Sequence, residues 1–443
     1  MSEKKFYIET YGCQMNFSDS EIIASVMKEA DFSSTTDVKE ADVIFVNTCS
    51  IREHAEQRVR KRLSELKSFK KKKPHLLIGV LGCMAERLKD QLIIDERSVD
   101  IIVGPDAYRD LPKLINTANE GQKAINVILS ADETYADINP VRLGGNGVSA
   151  FISIMRGCEN FCAYCVVPYT RGKERSRNPE TILSEAKELF EKGYREITLL
   201  GQNVNSYKWE SDNKDFNFPY LLENVALISP LLRIRFATSH PKDLSDELLK
   251  IIAVHPNICR SIHLPVQSGS SRILKMMNRK YTREWYMERI EAIRKYIPDC
   301  AISTDIICGF SGETDDDHHD TLSLMEWAKF DYAYMFKYSE RPGTAAAGKY
   351  KDDVPEEVKS RRLQAVIEFQ QKLSHESNKR DVGKTFEVLV ENESRKSKDF
   401  LSGRNSQNKV VIFPRKNFKA GDYVNVKVLR CTPATLIGED VEA

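Results

Sequence analysis

The run Arg156-Gly-Cys158-Glu-Asn-Phe-Cys162-Ala-Tyr-Cys165 constrains this 443-residue chain more than any other stretch. Three thiols at CxxxCxxC spacing reach three corners of one compact cluster from a single short loop. The loop follows a strand-like run, Phe151–Met155, at the C-terminal end where α/β sheets carry their sites. Three protein ligands leave one iron of a 4Fe-4S cube open to a small molecule, whereas four cysteines suit simple electron transfer. Zinc, which needs a fourth ligand, and unliganded thiols are the alternatives.

The cluster run sits inside a repeating strand–helix pattern. Six strand-like segments, Phe151–Met155, Glu196–Leu200, Arg233–Thr238, Ser261–Val266, Ile302–Ile307 and Tyr332–Tyr338, alternate with helical ones such as Pro179–Lys192, Ser245–Ala253, Arg283–Tyr296 and Asp317–Lys329. Six units are too few for a complete eight-fold barrel and fit an open, partial (β/α)6 one. Upstream, Phe6–Glu9, Val43–Val46, Leu76–Leu81 and Ile101–Val103 alternate with helical Ser18–Ala30, His54–Phe69 and Ala85–Asp95. That order predicts an N-terminal parallel sheet covered by helices. Arg142–Ser149 is Gly-rich and reads as a linker, not a dinucleotide loop, because a strand follows it instead of a helix. Arg361–Asn378 reads as a long polar helix. Beyond it, Thr385–Val390, Lys409–Phe413 and Tyr423–Leu429 predict a small all-β barrel or sandwich.

A second set of thiols is dispersed. Cys13, Cys49 and Cys83 each follow a strand candidate, in ETYGC, VNTC and VLGC, about one strand–helix unit apart. In a parallel sheet such positions converge on one edge. Spacing alone leaves a second open cluster, inert buried thiols and zinc all standing. Cys259, Cys300, Cys308 and Cys431 lack partner spacing and read as small buried hydrophobes.

The formal net charge of +1 conceals a basic end: Lys379 to Arg430 holds 13 Lys/Arg against 6 Asp/Glu. Arg58 to Lys73 is a second basic stretch, read as a solvated helix and loop or as an RNA-facing surface. With no signal-peptide core and no apolar run near the ~20 residues that span a bilayer, a cytoplasmic protein with no membrane partner is expected. Reduced thiols in that compartment favour metal binding or burial over disulfides.

ETYGCQMN, NTCSIRE, GCMAER and RGCENFCAYCVVPYTRGKERSR resemble the methylthiotransferases of the radical S-adenosylmethionine (SAM) superfamily, and the likeness extends over essentially the whole chain. Ser311 in GFSGET and Ala163 depart from the usual spelling, and neither position supplies a thiolate. The resemblance implies a cluster domain over 1–142, a radical SAM core over 143–376 and an RNA-binding TRAM domain over 377–443. It implies two 4Fe-4S clusters, one on Cys13, Cys49 and Cys83 and one on Cys158, Cys162 and Cys165, with SAM held by Gln202, Asn203, Gln267 and Asp305. His240, His255, His263, His318 and His319 are poorer candidates, and DDDHHD at 315–320 reads as a solvated helix start.

Family members place a methylthio group on isopentenylated adenosine beside the tRNA anticodon, on threonylcarbamoyl adenosine there, or on a ribosomal protein aspartate. GQNVNSY (Gly201–Tyr207) resembles the first branch. Expected partners are the tRNA anticodon stem-loop, an electron donor and a sulfur- or cluster-supplying protein, with the enzyme a monomer. A non-catalytic iron–sulfur RNA-binding regulator is the reading from another class.

Overall fold

The computed structural model describes residues 3–50, 53–211 and 214–441. Ile51 and Arg52 of the NTCSIRE string lie outside them. The chain packs as two compact units, one of residues 1–144, 153–161 and 165–182, the other of 145–152, 162–164 and 183–443.

The first unit runs β1 (Lys4–Tyr11), α1 (Gln14–Glu29), β2 (Phe32–Ser34), β3 (Val43–Thr48), α2 (Glu53–Lys72), β4 (Leu77–Gly82), α3 (Cys83–Leu88), α4 (Asp90–Asp95), β5 (Ile101–Val103), α5 (Leu111–Asn119) and β6 (Ala124–Asn126). Its sheet is wholly parallel, in the order β2-β1-β3-β4-β5-β6. The apolar runs VIFVNT and LIGVLG of β3 and β4 are buried on both faces, as a helix-covered parallel sheet requires. Val43 and Phe45 point to a core with Ile22 and Ile23 of α1 and Ile115 of α5. Ile44 and Val46 point to the opposite core, with Val59, Leu63 and Leu66 of α2.

Three expectations change here. The first helix starts at Gln14, four residues before Ser18, because Cys13 is its cap and Asn16 Oδ1 accepts the Cys13 N–H at 3.4 Å. The helix expected over Ala85–Asp95 starts at Cys83 and breaks at Lys89, whose φ of 47° is left-handed. The short β2 and β6 and the amphipathic α5 carried too few periodic residues to be read. Much of the Arg58–Lys73 charge is neutralised internally: Arg60 pairs with Glu56, Asp95 and Glu96, Arg62 with Glu9, Lys70 with Asp100 and Lys73 with Asp42.

In order along the chain, β7 (Ser149–Ser153), β8 (Met155–Arg156), α6 (Val167–Arg171), β9 (Arg175–Ser176), α7 (Pro179–Glu191), β10 (Glu196–Leu200), β11 (Lys208–Ser211), β12 (Lys214–Asn217), α8 (Phe218–Ala226), β13 (Arg233–Ala237), α9 (Asp246–Val254), β14 (Ser261–His263), α10 (Ser271–Met276), α11 (Arg283–Tyr296), β15 (Ala301–Cys308), α12 (Asp315–Ala328), β16 (Tyr332–Lys337), α13 (Ala345–Lys349) and α14 (Glu356–Lys379) follow. The sheets β7-β10-β13 and β14-β15-β16 are joined by a parallel bridge between Ile234 and Ile258, giving the expected six-strand partial barrel. The β11–β12 hairpin was not anticipated. Asp315 opens α12, but Asp317 is buried: it caps the helix with Thr314 and pairs with Arg272, so the acidic start is only partly solvated.

β17 (Thr385–Ser394), β18 (Ser397–Arg404), β19 (Val410–Pro414), β20 (Tyr423–Cys431) and β21 (Leu436–Asp440) close into a barrel in the order β17-β18-β19-β21-β20. Val388, Val390, Val411, Phe413, Val426 and Val428 fill it. The barrel is fastened to the second unit's strands: Arg233 donates to Arg404 O at 2.7 Å and Arg235 to Asn405 O at 2.9 Å.

Candidate metal-cluster sites

Cys13, Cys49 and Cys83 stand directly after β1, β3 and β4, three adjacent parallel strands. Chain order reverses between β1 and β3, so the set lies at the sheet's topological switch point, outside its C-terminal edge. Glycines let these strand ends approach. A Cβ on Gly12 would come within 2.5 Å of Cys49 Cβ, and one on Gly82 within 2.7 Å of Thr48 O. Both glycines have positive φ, 141° and 87°. Asn16 Nδ2 donates to Thr48 O at 3.0 Å, and Asn47 Nδ2 to Asn16 O at 2.7 Å, which locks the Cys13 turn to the Cys49 turn.

Cys13 is exposed while Cys49 and Cys83 are buried. The Cys13 thiol is pulled down to about 6, first by hydrogen bonding with Cys49 and then by the Arg171 charge. Burial pushes Cys83 up, with Arg171 opposing it. Arg171 ends α6, which packs on α3, and a salt bridge of 2.6 Å joins its Nη2 to Asp19. Asp19 also pairs with Arg156 at 2.9 Å. Burial disfavours the Asp19 carboxylate, but Arg156 and Arg171 outweigh that and hold its pKa low. Buried Arg171 Nη1 has no hydrogen-bond partner. An anion beside Cys13 and Cys83 would satisfy it.

The other three thiols lie in one loop, residues 157–166. Gly157 has φ of 80°, and a Cβ there would meet Lys173 O at 1.8 Å, so the residue before Cys158 must be glycine. Cys158 N donates to Gly172 O at 3.1 Å. Arg279 Nη1 donates to Cys162 Sγ at 3.2 Å. Among the described residues no three His, Cys, Asp or Glu side chains are gathered as a single metal ion would need. A lone zinc draws its sulfurs to about 2.3 Å, whereas a cube binds each thiolate at a separate corner. Glycine-spaced thiols with the unpartnered Arg171 Nη1 beside the first set, and Arg279 donating to Cys162 in the second, suit an anionic cube.

Three family models match the sequence: Uncharacterized protein family UPF0004 over residues 5–104, the Radical SAM superfamily over 152–325 and the TRAM domain over 379–441. The tRNA-2-methylthio-N(6)-dimethylallyladenosine synthase of Parabacteroides distasonis is 59% identical over 99% of this chain and 96% of that protein. The synthase of the same name from Flavobacterium johnsoniae is 55% identical over 99% and 94%. The chain belongs to the radical SAM methylthiotransferase family. Membership carries SAM and 4Fe-4S clusters with it. Among solved structures, the radical S-adenosylmethionine methyltransferase TsrM from Kitasatospora setae superposes with a TM-score of 0.58 at 13% identity, covering 78% of this chain and 75% of that one. That likeness is one of fold.

The barrel residues expected to hold SAM in this methylthiotransferase are differently placed. Gln202 follows β10, half-buried, with Oε1 lacking a hydrogen-bond partner. Asn203 is buried and engaged at both ends: its Oδ1 accepts from His240 N at 2.9 Å and its Nδ2 donates to Asp243 at 2.6 Å. Gln267 has φ of 75°, four residues beyond β14, and donates its N–H to Asp305 O at 2.9 Å. Asp305 lies within β15, not at its end, and faces His263 Nε2 at 3.5 Å. His263, read from sequence as a poorer candidate, thus stands beside Asp305. Burial first, and the Arg279 charge second, hold His240 neutral.

Asp19, Arg156, Arg171 and Arg279 were not foreseen. The only signal for the first three was proximity to quoted motifs: Arg156 opens RGC, Arg171 lies in YTRG, and Asp19 follows CQMN by three residues.

Proposed function

We infer that this protein transfers a methylthio group to carbon 2 of N6-isopentenyladenosine at position 37 of tRNA, acting in the cytoplasm as a monomer. The near-full-length identity to relatives bearing that printed activity carries the reading. Convergence of Cys13, Cys49 and Cys83 at one sheet edge supports it. Residues 1–142, 143–376 and 377–443 then serve as cluster domain, radical core and RNA-binding domain.

Cys13, Cys49 and Cys83 would hold one 4Fe-4S cluster, and Cys158, Cys162 and Cys165 another. Gln202, Gln267 and Asp305 would contact SAM, with Asn203 bracing the same loop. Once bound, these cofactors supply the radical and sulfur chemistry that an aromatic C–H, with no acidic proton and no leaving group, requires.

The chain's own residues do the rest. Glycines 12 and 82 let the turns that carry Cys13, Cys49 and Cys83 approach one another, and Gly157 lets the Cys158 loop pass Lys173 O. Arg171, anchored by Asp19, gives the first site a fixed cation. On the small barrel Arg395, Lys396, Lys398, Lys419, Lys427 and Arg430 are exposed and suit phosphate contacts of the anticodon stem-loop, which would supply affinity that falls steeply with salt. The unpaired loop base is read within the active site. An electron donor and a sulfur-supplying protein complete the system. No helix among the described residues is long and apolar enough to cross a membrane.

The test is to assay iron-loaded enzyme against isopentenyl-adenosine tRNA, threonylcarbamoyl-adenosine tRNA and the ribosomal protein by product mass. Methylthio gain on the first supports the assignment, and gain only on another rejects it. Formation of 5′-deoxyadenosine excludes a non-catalytic regulator.

A further inference from the structure

The turn after α10 places a buried cation against a cluster-loop thiol without any acid to balance it. Arg279 is 4% exposed. Its Nε donates to Tyr281 Oη at 2.8 Å, its Nη2 to Pro265 O at 2.7 Å, and its Nη1 to Cys162 Sγ at 3.2 Å and Tyr164 Oη at 3.4 Å. Among the described residues no Asp or Glu pairs with it; the groups facing its charge are Tyr164, Tyr281 and Cys162. A buried guanidinium without a counter-charge is costly and is kept where an anion is supplied.

The backbone is built around holding it there. Asn278 and Lys280, on either side, have φ of 57° and 59°, a left-handed conformation that side-chain-bearing residues adopt at a cost. The same turn is tied to the ligand loop, since Ala163 N donates to Met277 O at 2.9 Å. Two strained residues and a main-chain hydrogen bond thus fix one arginine on one cysteine.

We propose that Arg279 is a positioning residue of the radical site: it orients the Cys162 thiolate and offsets the negative charge of the cluster bound there, so that one-electron reduction becomes easier. This rests on the reading that Cys158, Cys162 and Cys165 hold a 4Fe-4S cluster. In that reduction an external low-potential donor loses one electron and the cluster gains it, with no bond made or broken. The added negative charge is what the guanidinium stabilises, since hydrogen bonds and charge around the sulfurs set such potentials.

The test uses full-length protein with Cys13, Cys49 and Cys83 changed to Ala, reconstituted anaerobically with iron and sulfide so that one cluster remains. Arg279, Arg279→Gln and Arg279→Lys forms are titrated with titanium(III) citrate without SAM, the reduced state being read by electron paramagnetic resonance. All should hold about four iron per chain. In Arg279→Gln the reduced-to-oxidised ratio at a fixed potential should fall at least ten-fold, a downward shift of about 59 mV for a one-electron couple. Arg279→Lys keeps the charge and should stay within about three-fold of the parent, which is the deciding comparison if the Gln variant does not fold. A loaded Gln variant with an unchanged potential, or a Lys variant shifted ten-fold, overturns the role of Arg279 and leaves the cluster assignment intact. Weaker SAM binding with an unchanged SAM-free potential would make Arg279 a substrate contact and overturns it equally. A parent that takes up no iron overturns both readings.

Discussion

Glu86, in the GCMAER string three residues after Cys83, carries a carboxyl that water scarcely reaches. Its side chain is 1% exposed, Oε2 has no hydrogen-bond partner, and the nearest cation, Lys89, stands 3.7 Å away. Burial pushes its pKa up from 4.5 to about 7. Between those values the folded state binds more protons than the unfolded one, so this group removes stability as pH rises through that window and leaves it lowest above 7. Glu86→Gln should flatten that slope and raise the denaturation midpoint at pH 8, read by urea titration from pH 4.5 to 8. Equal slopes in the two proteins would contradict the burial account. Cys49→Ala should spare 5′-deoxyadenosine formation and abolish methylthio product; Cys162→Ala should abolish both. The placement of Cys13, Cys49 and Cys83 after three strands, and of Cys158, Cys162 and Cys165 in one loop, was legible because spacing and strand pattern are sequence properties. Arg279 and Asp19 were not, since a charged residue defaults to the surface unless its partners are known, and those partners come from distant segments.

At the scale of elements, α1, α6 and β8 are joined by charge. Asp19 on α1 pairs with Arg156 of β8 and Arg171 of α6, all of them buried. Asp19→Asn would strand the buried Arg171 guanidinium and leave Arg156 only its 3.6 Å pairing with Asp106, and should cost about 3–5 kcal/mol of stability in chemical denaturation of the apo protein. A loss below 1 kcal/mol would show that other groups carry those charges. Elements with a strong period were readable: Arg283–Tyr296 matches α11 end for end, as do Ile101–Val103 for β5 and Glu196–Leu200 for β10, whereas Ser261–Val266 ends three residues early as β14 and Thr385–Val390 runs four residues further as β17. Those missed fall into physical classes. β18 and β21 are polar on the outward face and too short in apolar content to stand out. The early start of α1 depends on a cysteine cap and an Asn side chain, a local hydrogen bond that composition does not announce. Lys89 breaks a helix whose hydrophobic period runs through the break.

At the scale of the whole molecule, a nearly neutral chain is required to bind a polyanion. Exposed Arg395, Lys396 and Lys398, which pair with no acid among the described residues, would meet that need locally. Changing Arg395, Lys396 and Lys398 to Gln should weaken tRNA binding similarly for all tRNAs and lower the slope of log affinity against log salt by about 2 to 3, read by filter binding. An unchanged slope would place the phosphate contacts elsewhere. The account depends above all on two sets of three thiolates, one local and one gathered from separate strands, each holding its own cube. Iron and acid-labile sulfide per chain in anaerobically purified protein measure this directly. About eight of each is expected, falling to about four in the Cys13/Cys49/Cys83→Ala variant. About four in the parent with no loss in that variant would contradict a cluster on the N-terminal sheet.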